Sequence, residues 1–332
     1  MAAPALSFRR SLLFSAVVFV SFFGVLEGVL RLVGVKKPVR PRLVLRAIDS
    51  DIDLPFMRAD PDLLWSPKPG FRGAFMQQPV TINGLGLRGP EPREPRPRRR
   101  LLCVGDSITF GYGVGDDQTY PAALGRALAA RDVEVVNGGV TGYTSHQVRK
   151  LLERVAPPLR PDVVVVCIGW NDRTLRLATD REYDRRLRVA ARLDGLADHL
   201  YLYRALSSLY RDAHAPGAPA ARDRPRVPIA DYRDNLAAIV QQARAGGGQA
   251  VFLALPHRSR FEGPPLDPAY PQALRESAGA LAVPLLDVGV LGDGAPREGN
   301  ERYFIDSLHL SAEGAEEMAR TLVPQLEAKG VL

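Results

Sequence analysis

Leu101-Leu102-Cys103-Val104-Gly105-Asp106-Ser107-Ile108-Thr109-Phe110-Gly111 is the stretch that decides the fold. Four apolar residues run straight into glycine, a carboxylate and a hydroxyl, the signature of a buried strand ending at a sheet edge. The pattern recurs downstream. Val133 to Val136 is followed by Asn137-Gly138-Gly139-Val140-Thr141-Gly142, and Val163 to Ile168 by Gly169-Trp170-Asn171-Asp172. Ala250 to Leu255 and Val283 to Leu286 are two further apolar runs. Helical stretches near Pro121 to Arg131 and Thr144 to Val155, a long, mostly helical region and a closing helix over Ala312 to Glu327 alternate with them. Such alternation predicts an α/β fold whose parallel sheet is covered on both faces. Sheets of this kind bind ligands beyond the carboxyl ends of their strands, so the residues directly after each strand are the candidates for chemistry.

The whole chain has 332 residues, 46% hydrophobic and 24% charged, which suits one large domain with additions and excludes a disordered chain. Its two cysteines, Cys103 and Cys167, both lie in apolar runs and read as buried filler rather than a disulfide. The net charge of +7 is uneven: residues 1–100 hold 17 Lys+Arg against 8 Asp+Glu, and residues 101–332 hold 27 against 29. A positive excess confined to the N-terminal flank points to a membrane surface and away from nucleic acid.

Three regions follow from this: a transmembrane anchor with a short basic N-terminus over 1–35, a basic linker and small β-rich segment over 36–99, and the main domain over 100–332. Arg9 and Arg10 precede an uncharged run from Ser11 to Leu26, and the segment to Val35 is long enough to cross a bilayer core of ~30 Å. Glu27 and Arg31 are four apart and share a helix face. No convincing small-residue cleavage site follows the run, which favours an uncleaved anchor over a signal peptide. Lys36, Lys37, Arg40, Arg42 and Arg46 argue for a cytoplasmic domain by the positive-inside rule, whereas the short basic start before a lone apolar helix argues for export; the second reading is preferred. Asn83-Gly84 predicts a hairpin turn. Gly89 to Arg100, with four prolines and five arginines, predicts an exposed connector. The charge run Arg181 to Arg192 reads as a solvated helix face, and His214 to Pro228 as a surface loop.

Acyl transfer needs a hydroxyl nucleophile, a base for its proton and donors for the developing oxyanion. Ser107 stands at a strand end. His309 is preceded three residues earlier by Asp306, a spacing that lets the carboxylate orient the ring through Nδ1 while Nε2 faces Ser107. The Ser107 and Gly139 N–H groups and the Asn171 side chain make three oxyanion donors. Asp106 is expected to bond its own loop, and Asp172 to fix the loop that presents Asn171. His257 lies at the same sheet edge and reads as a surface histidine. Taken singly, each signal has a bland reading as a turn or a helix cap; their joint appearance after successive strands is what points to this chemistry. His146, His199 and His214 lack partners at metal spacing, and no glycine-rich loop precedes a lysine in a phosphate-binding pattern, so neither a metal nor another cofactor is expected.

These blocks resemble the SGNH hydrolase family, the GDSL-type esterases and lipases, over residues 100–332. The resemblance maps the family's name letters onto Ser107, Gly139, Asn171 and His309, and its aspartate onto Asp306. It implies a flavodoxin-like three-layer sandwich with a five-stranded parallel sheet, and ester hydrolysis through an acyl-serine. Ile108 stands where the family signature has leucine, a conservative change. Thr109 breaks the Gly-x-Ser-x-Gly elbow of the ordinary α/β-hydrolases. The substrate is an ester whose acyl group is carried on carbohydrate or lipid of the envelope by analogy with an anchored enzyme; an O-acyltransferase using the same serine and an inactive binding or scaffold protein are the alternatives. If Asn171 donates to the oxyanion, Asn171→Ala lowers kcat by about 100–1000-fold with little change in KM, read by steady-state kinetics on a p-nitrophenyl ester.

Overall fold

The computed structural model describes residues 8–34, 54–186, 200–202, 205–206, 223–254, 268–288 and 301–332. In chain order its main elements are α1 (Phe8–Val33), β1 (Met57–Asp60), β2 (Leu64–Pro67), β3 (Arg72–Phe75), β4 (Gln78–Thr81), β5 (Arg99–Gly105), α2 (Ser107–Phe110), α3 (Tyr120–Leu128), β6 (Val133–Gly139), α4 (Ser145–Leu159), β7 (Val163–Cys167), β8 (Leu175–Arg176), β9 (Arg224–Pro225), α5 (Ile229–Ala245), β10 (Gln249–Leu253), α6 (Ala269–Ala280), β11 (Leu285–Leu286) and α7 (Ala312–Ala328). These residues fall into two compact units, one holding 8–34 with 200–202 and 205–206, the other holding 54–185 and the described residues from 223 onward.

Five strands of the larger unit form one sheet in the order β11-β10-β7-β5-β6, every pairing parallel. This is the flavodoxin-like order, with β5 first in sequence and second in space. Val163 to Cys167 is buried at every position, as a strand covered on both faces must be. Leu101, Cys103, Val165, Val251 and Leu286 share a core cluster with Leu124 and Leu128 of α3 and with Met318, Leu322 and Leu326 of α7. Helices α4, α5 and α6 pack successively on one another and make the other layer. Both cysteines are fully buried and free, and burial pushes the Cys103 thiol up to about 12.

The N-terminal part of this unit is β-rich, in two antiparallel hairpins, β1–β2 and β3–β4. The chain reverses at Asn83-Gly84 as expected: the Gly86 N–H donates to the Asn83 carbonyl at 3.0 Å, Ile82 and Arg88 bridge antiparallel across the loop, and Asn83 Oδ1 accepts from the Leu85 and Leu87 N–H groups at 3.0 Å. A second, tighter reversal joins β3 to β4: Phe75 pairs with Gln78, so its two-residue turn is Met76-Gln77, with both φ angles positive at 50° and 62°. The connector after Gly89 is exposed in its middle and tied down by Arg93 to Asp132 and Arg96 to Asp162; its last two residues, Arg99 and Arg100, already belong to β5.

Two polar stretches turn single charged residues inward. In the charge run, Arg181, Arg185 and Arg186 are exposed, as a solvated face requires, but Asp184 is buried and pairs with Lys150 at 2.8 Å; residues 187–192 lie outside the described residues. At the end of the expected surface loop, Arg224–Pro225 pairs with β8, and Arg226 is 2% exposed against Asp180. Charge patterning alone cannot separate a solvated face from one whose charges are paired inside.

In the smaller unit, α1 is long and apolar enough over Arg9–Val33 to cross a membrane, a test that signal sequences also pass. Glu27 bonds Arg31 at 2.9 Å, and its two carboxylate oxygens accept the N–H groups of Tyr201 and Leu202 at 2.9 and 2.8 Å.

Among the described residues, Arg88 carries a heavy buried polar load. Its guanidinium donates to the carbonyls of Phe110, Gly111 and Val114 at 2.6–2.7 Å and to Asp116 at 3.0 Å, and stacks on the Phe110 ring at 4.5 Å. A cation is thus seated on the C-terminal carbonyls of α2. Arg88→Met strands these acceptors without donors and should destabilise the protein by about 3–5 kcal/mol, a loss that thermal unfolding followed by circular dichroism reads directly.

Candidate active site

Parallel pairing sets Gly105 level with Gly139 on one side and Cys167 on the other, so the segments after β5, β6 and β7 emerge at one edge. Ser107 opens α2 two residues after β5. Asp106 caps that helix, its Oδ1 accepting from the Ile108 N–H at 3.0 Å, and Gly111 closes it at φ 83°. Gly105 and Gly139 are glycines for steric reasons. A Cβ at Gly105 would lie 2.3 Å from the Cys167 carbonyl, and one at Gly139 would lie 2.1 Å from the Phe110 nitrogen. Bare backbone at both positions lets α2 lie directly against β6.

The turn before α7 brings the third element. The Asp306 Oδ1 accepts the Leu308 and His309 N–H groups at 2.8 and 2.7 Å, and its Oδ2 lies 2.6 Å from His309 Nδ1. His309 Nε2 lies 2.8 Å from Ser107 Oγ. Burial alone would raise the Asp306 carboxyl, but the hydrogen bonds from the His309 ring and backbone outweigh it and bring the group down to about 2. An ionised carboxylate accepts only, so Nδ1 carries the ring proton and Nε2 is left to accept the serine hydroxyl. Tyr112 stacks on the imidazole at 4.5 Å between centroids. Ser107, Asp306 and His309 therefore stand in one hydrogen-bonded line.

The oxyanion donors are arranged differently from expectation. The Gly139 N–H is already donated to Asn137 Oδ1 at 3.0 Å. Three residues on, Val140 to Tyr143 forms a turn closed by the Tyr143 N–H on the Val140 carbonyl at 3.1 Å, with Gly142 at φ 80°. Glycine suits that third turn position. Trp65 Nε1 holds the Thr141 carbonyl at 3.0 Å, and in a trans peptide this points the Gly142 N–H the opposite way. Neither it nor the Ser107 N–H has an acceptor among the described residues. Asn171 Nδ2 donates to the Tyr143 carbonyl at 3.0 Å and makes a long contact to Asp106 at 3.4 Å, so Asn171 sits against the same turn.

The buttress of this turn was invisible to sequence reasoning. Tyr143 donates its hydroxyl to the Trp65 carbonyl at 2.7 Å, and Arg226 donates to the Gly142 carbonyl at 2.7 Å and to Asp180 at 2.9–3.0 Å. Asp172 accepts from the Ser145 N–H and hydroxyl at 3.0 and 2.5 Å, joining the loop after β7 to the start of α4. The only local signal was glycine at 142 beside threonine. His257 lies outside the described residues. His146 is buried on α4, 3.6 Å from Asp184. Among the described residues, no three His, Cys, Asp or Glu side chains group as metal ligands would.

Residues 103–317 match the model of the GDSL-like lipase/acylhydrolase family. The chain is 33% identical over 75 residues to an arylesterase of Vibrio mimicus, a match that spans 22% of this chain and 38% of that protein. Among solved structures it is similar to TesA, with 22% identity, 70% of this chain and 100% of that chain covered and a TM-score of 0.46. It is also similar to a lipase/acylhydrolase from Enterococcus faecalis, with 20% identity, coverage of 70% and 96%, and a TM-score of 0.45.

Burial raises two carboxyls at this edge, Asp106 to about 6 and Asp172 to about 7. A carboxyl with a folded pKa above its unfolded value of about 4 binds its proton more tightly in the native state. Its contribution to stability is full below about pH 4 and is lost as pH rises through about 7. Asp172→Asn keeps the shape and removes the titration. The melting temperature of the native protein should therefore fall relative to Asp172→Asn between pH 4 and 8, as differential scanning calorimetry across that range would show; parallel curves would contradict it.

Proposed function

The chain belongs to the GDSL-like lipase/acylhydrolase family, and on that premise we propose that it is a serine ester hydrolase working through an acyl-serine. The observation that carries this reading is the hydrogen-bonded line from Ser107 Oγ through the His309 ring to Asp306. His309 Nε2 takes the hydroxyl proton as Ser107 Oγ bonds to the ester carbonyl carbon. The imidazolium so formed is stabilised by the Asp306 carboxylate, which stays ionised throughout. The carbonyl oxygen gains the negative charge and accepts from the Ser107 N–H, the Gly142 N–H and the second Asn171 Nδ2 hydrogen, which exchanges its long 3.4 Å contact to Asp106 for the oxyanion. Gly142 takes the place expected of Gly139, whose N–H is committed to Asn137. As the tetrahedral species collapses, His309 passes its proton to the alcohol oxygen and the alcohol leaves. Water then attacks the acyl-serine by the same proton route in reverse, releasing the acid and restoring Ser107.

In this reading α1 anchors the enzyme in the membrane with the catalytic unit on the extracytoplasmic side. The apolar run Ser11 to Leu26 behind Arg9 and Arg10 supports the anchor, and the short basic start supports the orientation. An anchored esterase meets acyl groups on carbohydrate or lipid close to the bilayer, and these are the substrates the reading favours.

The full chain in detergent, as native protein and as Ser107→Ala, tests the activity. Removing the nucleophile should lower the kcat for p-nitrophenyl acetate by about 10000-fold or more and abolish labelling by a fluorophosphonate probe. Equal turnover by the two proteins would overturn the assignment.

A further inference from the structure

The β3–β4 turn is built from residues that suit it poorly. Both central residues have positive φ, a geometry for which Asn-Gly is the usual choice, yet the chain places methionine and glutamine there. Met76 is also 55% exposed, so packing does not account for the choice. An apolar side chain held at a strained, exposed position calls for a reason outside folding.

Its surroundings supply one. Phe75, beside it, packs edge-on against Tyr112 at 5.2 Å, and Tyr112 is the ring stacked on His309. Gly113, at φ 82°, leaves a gap in which a Cβ would lie 2.4 Å from Ile305 Cδ1 and 3.9 Å from Met76 Sδ. Ile305 is 45% exposed and immediately precedes Asp306, on the turn closed by its N–H to the His309 carbonyl at 2.9 Å. Two part-exposed apolar side chains thus meet over Gly113, next in sequence to Tyr112, whose ring is stacked on the imidazole.

Resting on the hydrolase reading above, we propose that Met76, Tyr112 and Ile305 form the subsite for the leaving alcohol of the ester, and that this alcohol is apolar, which narrows the carbohydrate or lipid substrates of that reading to the lipid class. The direction follows from proton transfer. His309 Nε2 must deliver the serine's proton to the alcohol oxygen as the carbon–oxygen bond breaks, so the alcohol's substituent departs on the imidazole side of the reacting carbon. The acyl chain remains bonded to Ser107 Oγ and does not follow it. An apolar substituent on the imidazole side covers the exposed surface of Met76 and Ile305 and stacks against the edge of Tyr112.

The subsite acts before the alcohol leaves, so it affects kcat/KM; esters sharing an acyl group form the same acyl-enzyme whatever their alcohol. The test uses the full chain in nanodiscs, as native protein, Met76→Glu and Met76→Gly, on ethyl acetate, 2-naphthyl acetate and 2-naphthyl butyrate. In both variants the kcat/KM ratio of 2-naphthyl to ethyl acetate should fall by about 5–10-fold relative to the native protein. The butyrate to acetate ratio should stay within about twofold, and Met76→Gly should melt no lower than the native protein because glycine relieves the turn. An unchanged naphthyl to ethyl ratio, or a change in the acyl ratio instead, would overturn the subsite. So would a lower melting temperature in Met76→Gly with equal losses on all three esters, which would make Met76 a packing residue. Native protein without Ser107-dependent turnover of any ester would remove the hydrolase reading, and the subsite with it.

Discussion

The absence of a side chain at Gly105 is the constraint on which the rest of the site depends. The strand pairs on both sides there, and its backbone comes so close to the Cys167 carbonyl and the Thr109 hydroxyl that a single methyl group would collide with both. That closeness allows the chain to turn from β5 into α2 within two residues. A longer connection would carry the hydroxyl of Ser107 away from the sheet edge, and the 2.8 Å approach of His309 would have nothing to meet. Gly139 repeats the requirement one strand over, against the Phe110 nitrogen. Tight backbone contact, more than any side-chain interaction, locates the nucleophile.

What holds the neighbouring loops is drawn from the N-terminal β segment. Arg88 takes the carbonyls at the end of α2, while Trp65 fixes the turn at Gly142 and Tyr143. Both ties run between segments far apart in sequence, and each engages carbonyls that would otherwise lack donors in a buried place. The hairpins are therefore a supporting wall for the catalytic edge as well as an addition to it.

The legibility of the chain follows the range of its interactions. The strands at Leu101, Val133 and Val163 were plain because an apolar run between glycine-rich loops has few other uses. The Asp306 and His309 pair was plain because it closes within one turn. Arg88, Trp65 and Arg226 carried no local signal, since their partners lie 22 to 84 residues away. The Met76-Gln77 turn carried no signal, because turn chemistry reads residue preference and Met76 violates it, whereas Asn83-Gly84 obeys it and does turn.

The carboxylate of Glu27 has a consequence for how the chain is made. Its two oxygens receive N–H groups from residues 174 and 175 positions later. At synthesis rates of ~5–20 residues per second, α1 leaves the ribosome roughly 10–35 s before those partners exist. Throughout that interval the acidic side chain near the end of this largely apolar helix has Arg31, one turn on, as its charged neighbour. The first helix to be made waits for partners 174 residues downstream, so targeting machinery meets it as a bare helix, well before it becomes part of a folded unit.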